Sequence, residues 1–160
     1  LAIQIGERMP PGSFGVMTET GSREISTDEL FSGKKVVLVS VPGAFTPTCS
    51  MHHVPGYVDQ AEAVRAKGVD TIACMAVNDV FVMGAWAKDL GVGEDVAMLA
   101  DGNGDYTRAL GLELDGTGFG LGMRGKRFAI IVDNGIAIHV AVEAPGKFEV
   151  SDVESILERL

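Results

Sequence analysis

Cys49 is one of only two cysteines in the chain, and it stands directly behind a Thr-Pro-Thr step in the stretch VPGAFTPTCSMHHVPG, Val41 to Gly56. The run KKVVLVSV that leads into it reads as a strand, nearly all apolar once past its lysines. Behind it, Val54, Tyr57, Val58 and Ala61 fall at i, i+3, i+4 and i+7, one face of a helix. Cys49 is therefore expected in the first helical turn, with Thr46 as N-cap and Pro47 at the first helical position. Unpaired N–H groups and the positive helix end favour an anion there. A thiolate is such an anion, and the thiolate rather than the thiol is the nucleophile. The alternative is a small apolar side chain packed under the helix, since free cysteine is often buried. Position alone does not separate the two.

The surrounding elements read as α/β. The turn-rich opening, through GERMPPGSFGVMTETGSREIS, is expected to form short strands and loops. STDELFSG offers a capping box, Ser26 with Glu29, and a stop at Gly33. Pro55 should kink or divide the helix after Cys49. GVDTIACMAVND is a second apolar strand, DVFVMGAWAKDLG a helix ending at Gly91, AMLAD a third strand and GDYTRALGL a short helix. KRFAIIVDNGIAIHVAVE holds two strands around Asp133-Asn134-Gly135, a strong hairpin signal. A last helix begins at a cap from Ser151 or Asp152. This order predicts a mixed central sheet with helices on both faces, a thioredoxin-like fold, in a single domain over 1–160.

Composition narrows the partners. Acidic residues outnumber basic ones by 22 to 13, a formal net charge of −9, so the basic footprint of nucleic-acid binding is missing and an anionic membrane is disfavoured. No apolar run approaches the roughly 20 residues of a membrane span. The first residues lack the pattern of a secretory signal, no Cys-x-x-Cys is present, and a reducing, cytoplasmic setting with both thiols free is expected.

Pro42, Thr46 and Cys49 form P-x-x-x-T-x-x-C on a loop entering a helix, which resembles the active-site signature of peroxiredoxins. PGAFTPTCS with H-V-P-G close behind is similar to the type II group, which contains mammalian peroxiredoxin five. The resemblance continues through VNDVFVMGAW and through LGMRGKRFAIIVDNG followed by VE, over most of the chain. It implies a thiol peroxidase that reduces hydrogen peroxide and alkyl hydroperoxides without metal, flavin or haem. By that resemblance Cys49 is the peroxidatic cysteine that becomes sulfenic acid, and Thr46 hydrogen-bonds thiolate and peroxide through its hydroxyl. Pro42 walls the pocket, Arg124 of GMRGKRF matches the active-site arginine, and His53 supports the pocket or packs under the helix. The reductant implied is glutaredoxin with glutathione, or thioredoxin, and the assembly a homodimer.

Other readings of the same residues are weaker. GLGMRG, Gly120 to Gly125, satisfies G-x-G-x-x-G but precedes a strand instead of following one, the wrong context for a dinucleotide. Cys49, His52 and His53 do not make the four-ligand set of structural zinc. A Cys–His hydrolase would need His52 or His53 to reach back along the helix. His52 reads as a surface residue and His139 as a structural one. Cys74, in the strand TIACMAV, is either a buried structural thiol or a resolving cysteine that pairs with Cys49 after oxidation. A thiol–disulfide oxidoreductase lacks its Cys-x-x-Cys here. A redox sensor or holdase on the same fold is the non-catalytic alternative.

Overall fold

A computed structural model describes residues 1–160. The opening segment folds into a hairpin, β1 (Ser13–Thr18) and β2 (Gly21–Ser26), followed by α1 (Thr27–Phe31). Ser26 caps α1 by accepting the Glu29 N–H at 3.1 Å. Glu29 does not close the expected box with its side chain; its carboxylate lies 3.6 Å from Arg23.

The centre of the molecule is built from β3 (Lys35–Ser40), β4 (Thr71–Ala76) and β5 (Ala97–Ala100), paired in parallel. Three helical segments, α2 (Val54–Asp59), α3 (Ala61–Ala66) and α4 (Val80–Leu90), make the connections between these strands. After α5 (Asp105–Leu110) come two short strands that the sequence pattern did not reveal, β6 (Glu113–Asp115) and β7 (Met123–Gly125). They pair only with each other. β8 (Phe128–Asp133) and β9 (Ile136–Val142) form the expected hairpin, with Asn134 and Gly135 both at positive φ. The C-terminal helix α6 (Val153–Leu157) is capped by Asp152, not Ser151.

The main sheet runs β2-β1-β5-β4-β3-β8-β9. Its inner strands are covered on both faces, and alternate side chains enter separate cores. Val36, Leu38, Ala73 and Met75 face α1 and α5, whereas Val37, Val39, Ile72 and Cys74 join the core that includes Cys49, Tyr57, Trp86 and Ile156. The mixed sheet and two helical layers form the expected thioredoxin-like architecture.

Pro55 disturbs the helix without dividing it, and does so by widening the turn before it. Lacking an N–H, it cannot donate back along the helix. The preceding turn, Cys49–His53, widens to π-helical geometry, and the Val54 N–H bonds to the carbonyl of Cys49, five residues back. Single π turns of this kind occur mostly inside α-helices and often at functional positions.

Candidate active site

The site is assembled where β3 ends. Val41 is still buried; Pro42 to Thr46 then turn the chain into the helix that carries Cys49. The Ala44 N–H donates to Asn78 Oδ1 at 2.8 Å, which ties this turn to the loop after β4. Phe45 adopts φ +66° although it is not glycine. A bulky side chain in that region carries strain of order 1–3 kcal/mol, which the rest of the turn must hold in place. From the other side the Trp86 indole N–H donates to Ser50 Oγ at 2.9 Å, anchoring the π turn to α4.

Cys49 is fully buried and free, and its Sγ faces two donors. Thr46 Oγ1 lies 2.7 Å away and Arg127 Nη2 3.1 Å away. The Thr46 backbone does begin the helix, since its carbonyl accepts the Ser50 N–H at 3.0 Å. Its hydroxyl makes no capping bond: it is aimed at Sγ and at the Gly43 carbonyl, 2.8 Å away. One hydroxyl proton serves both partners. When the sulfur is a thiol, its S–H donates to Thr46 Oγ1 and the hydroxyl proton goes to Gly43. When the sulfur is a thiolate, the hydroxyl rotates and donates to it.

Arg127, rather than Arg124, supplies the guanidinium at the sulfur. Arg124 lies on β7, opposite Leu114. Its Nε–H donates to the Leu121 carbonyl at 2.9 Å and its Nη1–H to the Pro42 carbonyl at 3.3 Å, so it braces the turn from outside. Gly43 makes that approach possible, because a Cβ there would stand 2.8 Å from Arg124 Nη1. Arg127 directly precedes β8, whose pairing puts Phe128 opposite Ser40. That register brings Arg127 level with the end of β3, beside the Cys49 turn. That register joins strands far apart in the sequence, and no local pattern within GMRGKRF carries it.

His53 lies behind this arginine, fully buried. Arg127 Nη1–H donates to His53 Nδ1 at 2.8 Å, and His53 Nε2–H donates to the Ser151 carbonyl at 3.0 Å. An arginine only donates, so this pattern fixes the neutral tautomer with its proton on Nε2. Burial, and then the adjacent Arg127 charge, lower the imidazole from 6.5 to about 4. The Tyr57 hydroxyl also donates to the Ser151 carbonyl, at 2.7 Å. Burial and the nearby Asp152 charge push that phenol well above its ordinary value, so it stays a donor. Phe148 completes the packing, 5.0 Å from the His53 ring centre and 5.9 Å below the Arg127 guanidinium carbon.

Pro42 lines a groove of about 400 Å³ with Thr48, Phe119, Lys126, Lys147 and Phe148, and Arg127 forms part of its wall. A larger depression of about 630 Å³ lies between Pro11, Arg23, Asp101 and Tyr106, and none of its walls belongs to the Cys49 cluster. His52 is exposed and takes no part. Cys74 is buried in β4, on the same face of the sheet as Cys49. Burial, and secondarily the neighbouring Cys49 charge, push its thiol far above the usual range.

A buried sulfur held between a hydroxyl and a guanidinium is suited to nucleophilic attack on a small, polarisable bond, with charge developing beside fixed donors. Comparison with known proteins agrees. A family model described as Redoxin matches residues 4–157. Peroxiredoxin-2C of Oryza sativa subsp. japonica is 50% identical over 160 residues, covering 99% of this chain and 98% of that protein. The chain belongs to the peroxiredoxins. It falls in their type II, peroxiredoxin-five-like group, and as a peroxiredoxin it is a thiol peroxidase. Reduced Prx3 of Vibrio vulnificus, solved in complex with H2O2, is 50% identical and superposes with a TM-score of 0.94 over 98% of each chain. The Plasmodium falciparum antioxidant protein, a 1-Cys peroxiredoxin, is 30% identical with a TM-score of 0.91, again over 98% of each chain.

Proposed function

We propose that Cys49 is the peroxidatic cysteine and that it reduces hydrogen peroxide and alkyl hydroperoxides. The observation that carries this reading is the pair of donors on its buried sulfur, Thr46 Oγ1 and Arg127 Nη2. The Cys49 thiolate attacks the terminal oxygen of the hydroperoxide, R–O–O–H. The O–O bond breaks, the sulfur keeps the O–H as sulfenic acid, and the alkoxide leaves to take up the proton that the thiol gave away. Arg127 and the Thr46 hydroxyl stabilise the charge as it moves from sulfur to the leaving oxygen. Pro42 shields the site from water. Hydrogen peroxide as substrate gains support from the Vibrio relative, which was crystallised with it.

An external thiol then displaces water from the sulfenic acid to give a mixed disulfide, and a second thiol releases Cys49. Glutathione with glutaredoxin is the reductant we favour over thioredoxin. Lys126 and Lys147 line the groove beside Arg127 in a chain of net charge −9, which suits a small thiol carrying carboxylates. We assign Cys74 a structural role, because its burial keeps it protonated and the thiolate is the species that exchanges. The whole 1–160 stretch acts as a single domain in a reducing, cytoplasmic compartment. A homodimer is the assembly we take from the resemblance to the type II peroxiredoxins.

One equivalent of peroxide should add a single oxygen to the protein, trapped at Cys49 by a sulfenate-specific reagent. Steady-state peroxide consumption should follow with glutathione and glutaredoxin, and Cys49→Ser should show neither. Oxygen found elsewhere, or turnover in Cys49→Ser, refutes the assignment. Faster turnover with thioredoxin alone refutes the choice of reductant.

A further inference from the structure

Glu143 is a buried carboxylate well removed in sequence from the Cys49 turn, directly after β9. Four donors converge on it. The Glu149 N–H lies 2.9 Å from both carboxylate oxygens, and the Val150 and Ser151 N–H groups each lie 2.8 Å from Oε2. The Ser151 hydroxyl donates to the same Oε2 at 2.7 Å. Burial alone would raise the Glu143 pKa, but the Ser151 hydroxyl and the three backbone N–H groups hold it below the ordinary carboxylate value.

These donors belong to one turn, residues 144–151, and that turn touches the Cys49 site twice. Phe148 packs against both His53 and the Arg127 guanidinium. Ser151 offers the carbonyl that receives His53 Nε2–H and the Tyr57 hydroxyl. His53 in turn accepts from Arg127, and Arg127 donates to Cys49 Sγ. The circuit closes through the main chain, since the Glu143 N–H donates to the Arg127 carbonyl at 2.9 Å. Arg127 is therefore held at its backbone by the residue whose side chain also organises the support behind its guanidinium.

We propose that Glu143 is a positioning residue for the Cys49 thiolate, acting by fixing the 144–151 turn and, through Phe148, Ser151 and His53, the aim of Arg127. The inference rests on Cys49 being the reacting thiol, and its test reads the thiol separately from turnover. The sign of the effect distinguishes positioning from bare charge. Glu143 is an anion, so removing its charge without moving anything favours a second anion at Cys49. Losing the aim of Arg127 takes a cation away from the sulfur and does the opposite.

The experiment measures iodoacetamide alkylation of Cys49 against pH in Cys74→Ser, alone and combined with Glu143→Gln or Glu143→Asp, beside stopped-flow reaction with hydrogen peroxide at pH 7. Gln keeps the length but loses the charge and one acceptor; Asp keeps the charge but is too short for the four donors. Both should move the alkylation profile to higher pH and slow the peroxide step by roughly tenfold to a hundredfold, the scale of a reacting group displaced by about 1 Å. Ser151→Ala keeps the carboxylate and three donors, so it should shift the profile the same way by less, and it serves if the Glu143 variants do not fold. Asp101→Asn loosens another buried carboxylate, one bound by Tyr106 and Thr107, and should leave the profile in place. A profile unmoved or moved to lower pH in the folded variants overturns the proposal, as does an Asp101→Asn shift of equal size. Absence of any peroxide reaction in the parent would instead strike at the role of Cys49.

Discussion

Protonation of His53 couples the site to the stability of the fold, and its size follows from the buried geometry. Burial and Arg127 lower the imidazole from 6.5 to about 4. The unfolded chain therefore takes up this proton first as the pH falls, while the folded chain resists it. Stability is complete above pH 6.5, declines between 6.5 and about 4, and levels off below, for a total near 3 kcal/mol at roughly 1.36 kcal/mol for each pH unit of difference. Most of that is already gone at pH 4.5.

The assay is urea denaturation at pH 7.5 and pH 4.5, at fixed protein concentration, for the parent chain and for His53→Gln. Gln cannot titrate, so its stability should change less between the two pH values by about 2–3 kcal/mol. His139 is also lowered, by partial burial and then by Arg159, and adds a loss of the same sign in both proteins. Glu143, held below its ordinary value, loses its contribution only as the pH falls further, and again equally in both. Parallel losses in the two proteins would show that His53 accepts its proton in the folded state, and the neutral-acceptor geometry would then be wrong.

Arg127→Gln should slow single-turnover peroxide reduction by on the order of a hundredfold, the scale of a lost fixed donor. Arg124→Gln should slow it much less, because its bonds go to carbonyls of Leu121 and Pro42 and not to sulfur. Thr46→Val should cost more than about tenfold in that step while leaving thermal stability within about 1 kcal/mol of the parent, since the lost hydroxyl is not a helix cap. Cys74→Ser should keep sulfenic acid formation at Cys49 and turnover with glutathione and glutaredoxin. A parent protein that loses two hydrogens on oxidation, with turnover collapsing in Cys74→Ser, would make Cys74 the resolving cysteine.

The inner strands were legible because they are apolar runs with β-branched residues, and the β8–β9 turn because Asn134-Gly135 supplies two positive-φ positions. Cys49, Thr46 and Pro42 were legible because they share one short stretch, where local spacing fixes their neighbourhood. The π turn was not. Pro55 announced a disturbance, but whether the helix bends, breaks or widens depends on what it packs against. Here Trp86 pins Ser50 and the Tyr57–Ser151 bond pins the next turn.

The two arginines show most sharply what local pattern leaves out. Arg124 and Arg127 are three residues apart in a Gly-rich segment, and both end within reach of the Pro42–Cys49 turn. Which one meets the sulfur is decided by a register between strands almost ninety positions apart, Ser40 opposite Phe128. Gly125, between the two arginines, passes so close to β3 that a Cβ there would stand 3.1 Å from Ser40 Oγ. The Ser40 hydroxyl donates to the Lys126 carbonyl at 2.9 Å, locking that passage. The chain therefore crosses from the small β6–β7 sheet to the main sheet between the two arginines, with Arg124 outside against the Pro42 carbonyl and Arg127 inside against the thiol. A guanidinium on each side of one turn divides the work: one holds the backbone that presents Thr46, and the other meets the charge that Thr46 shares.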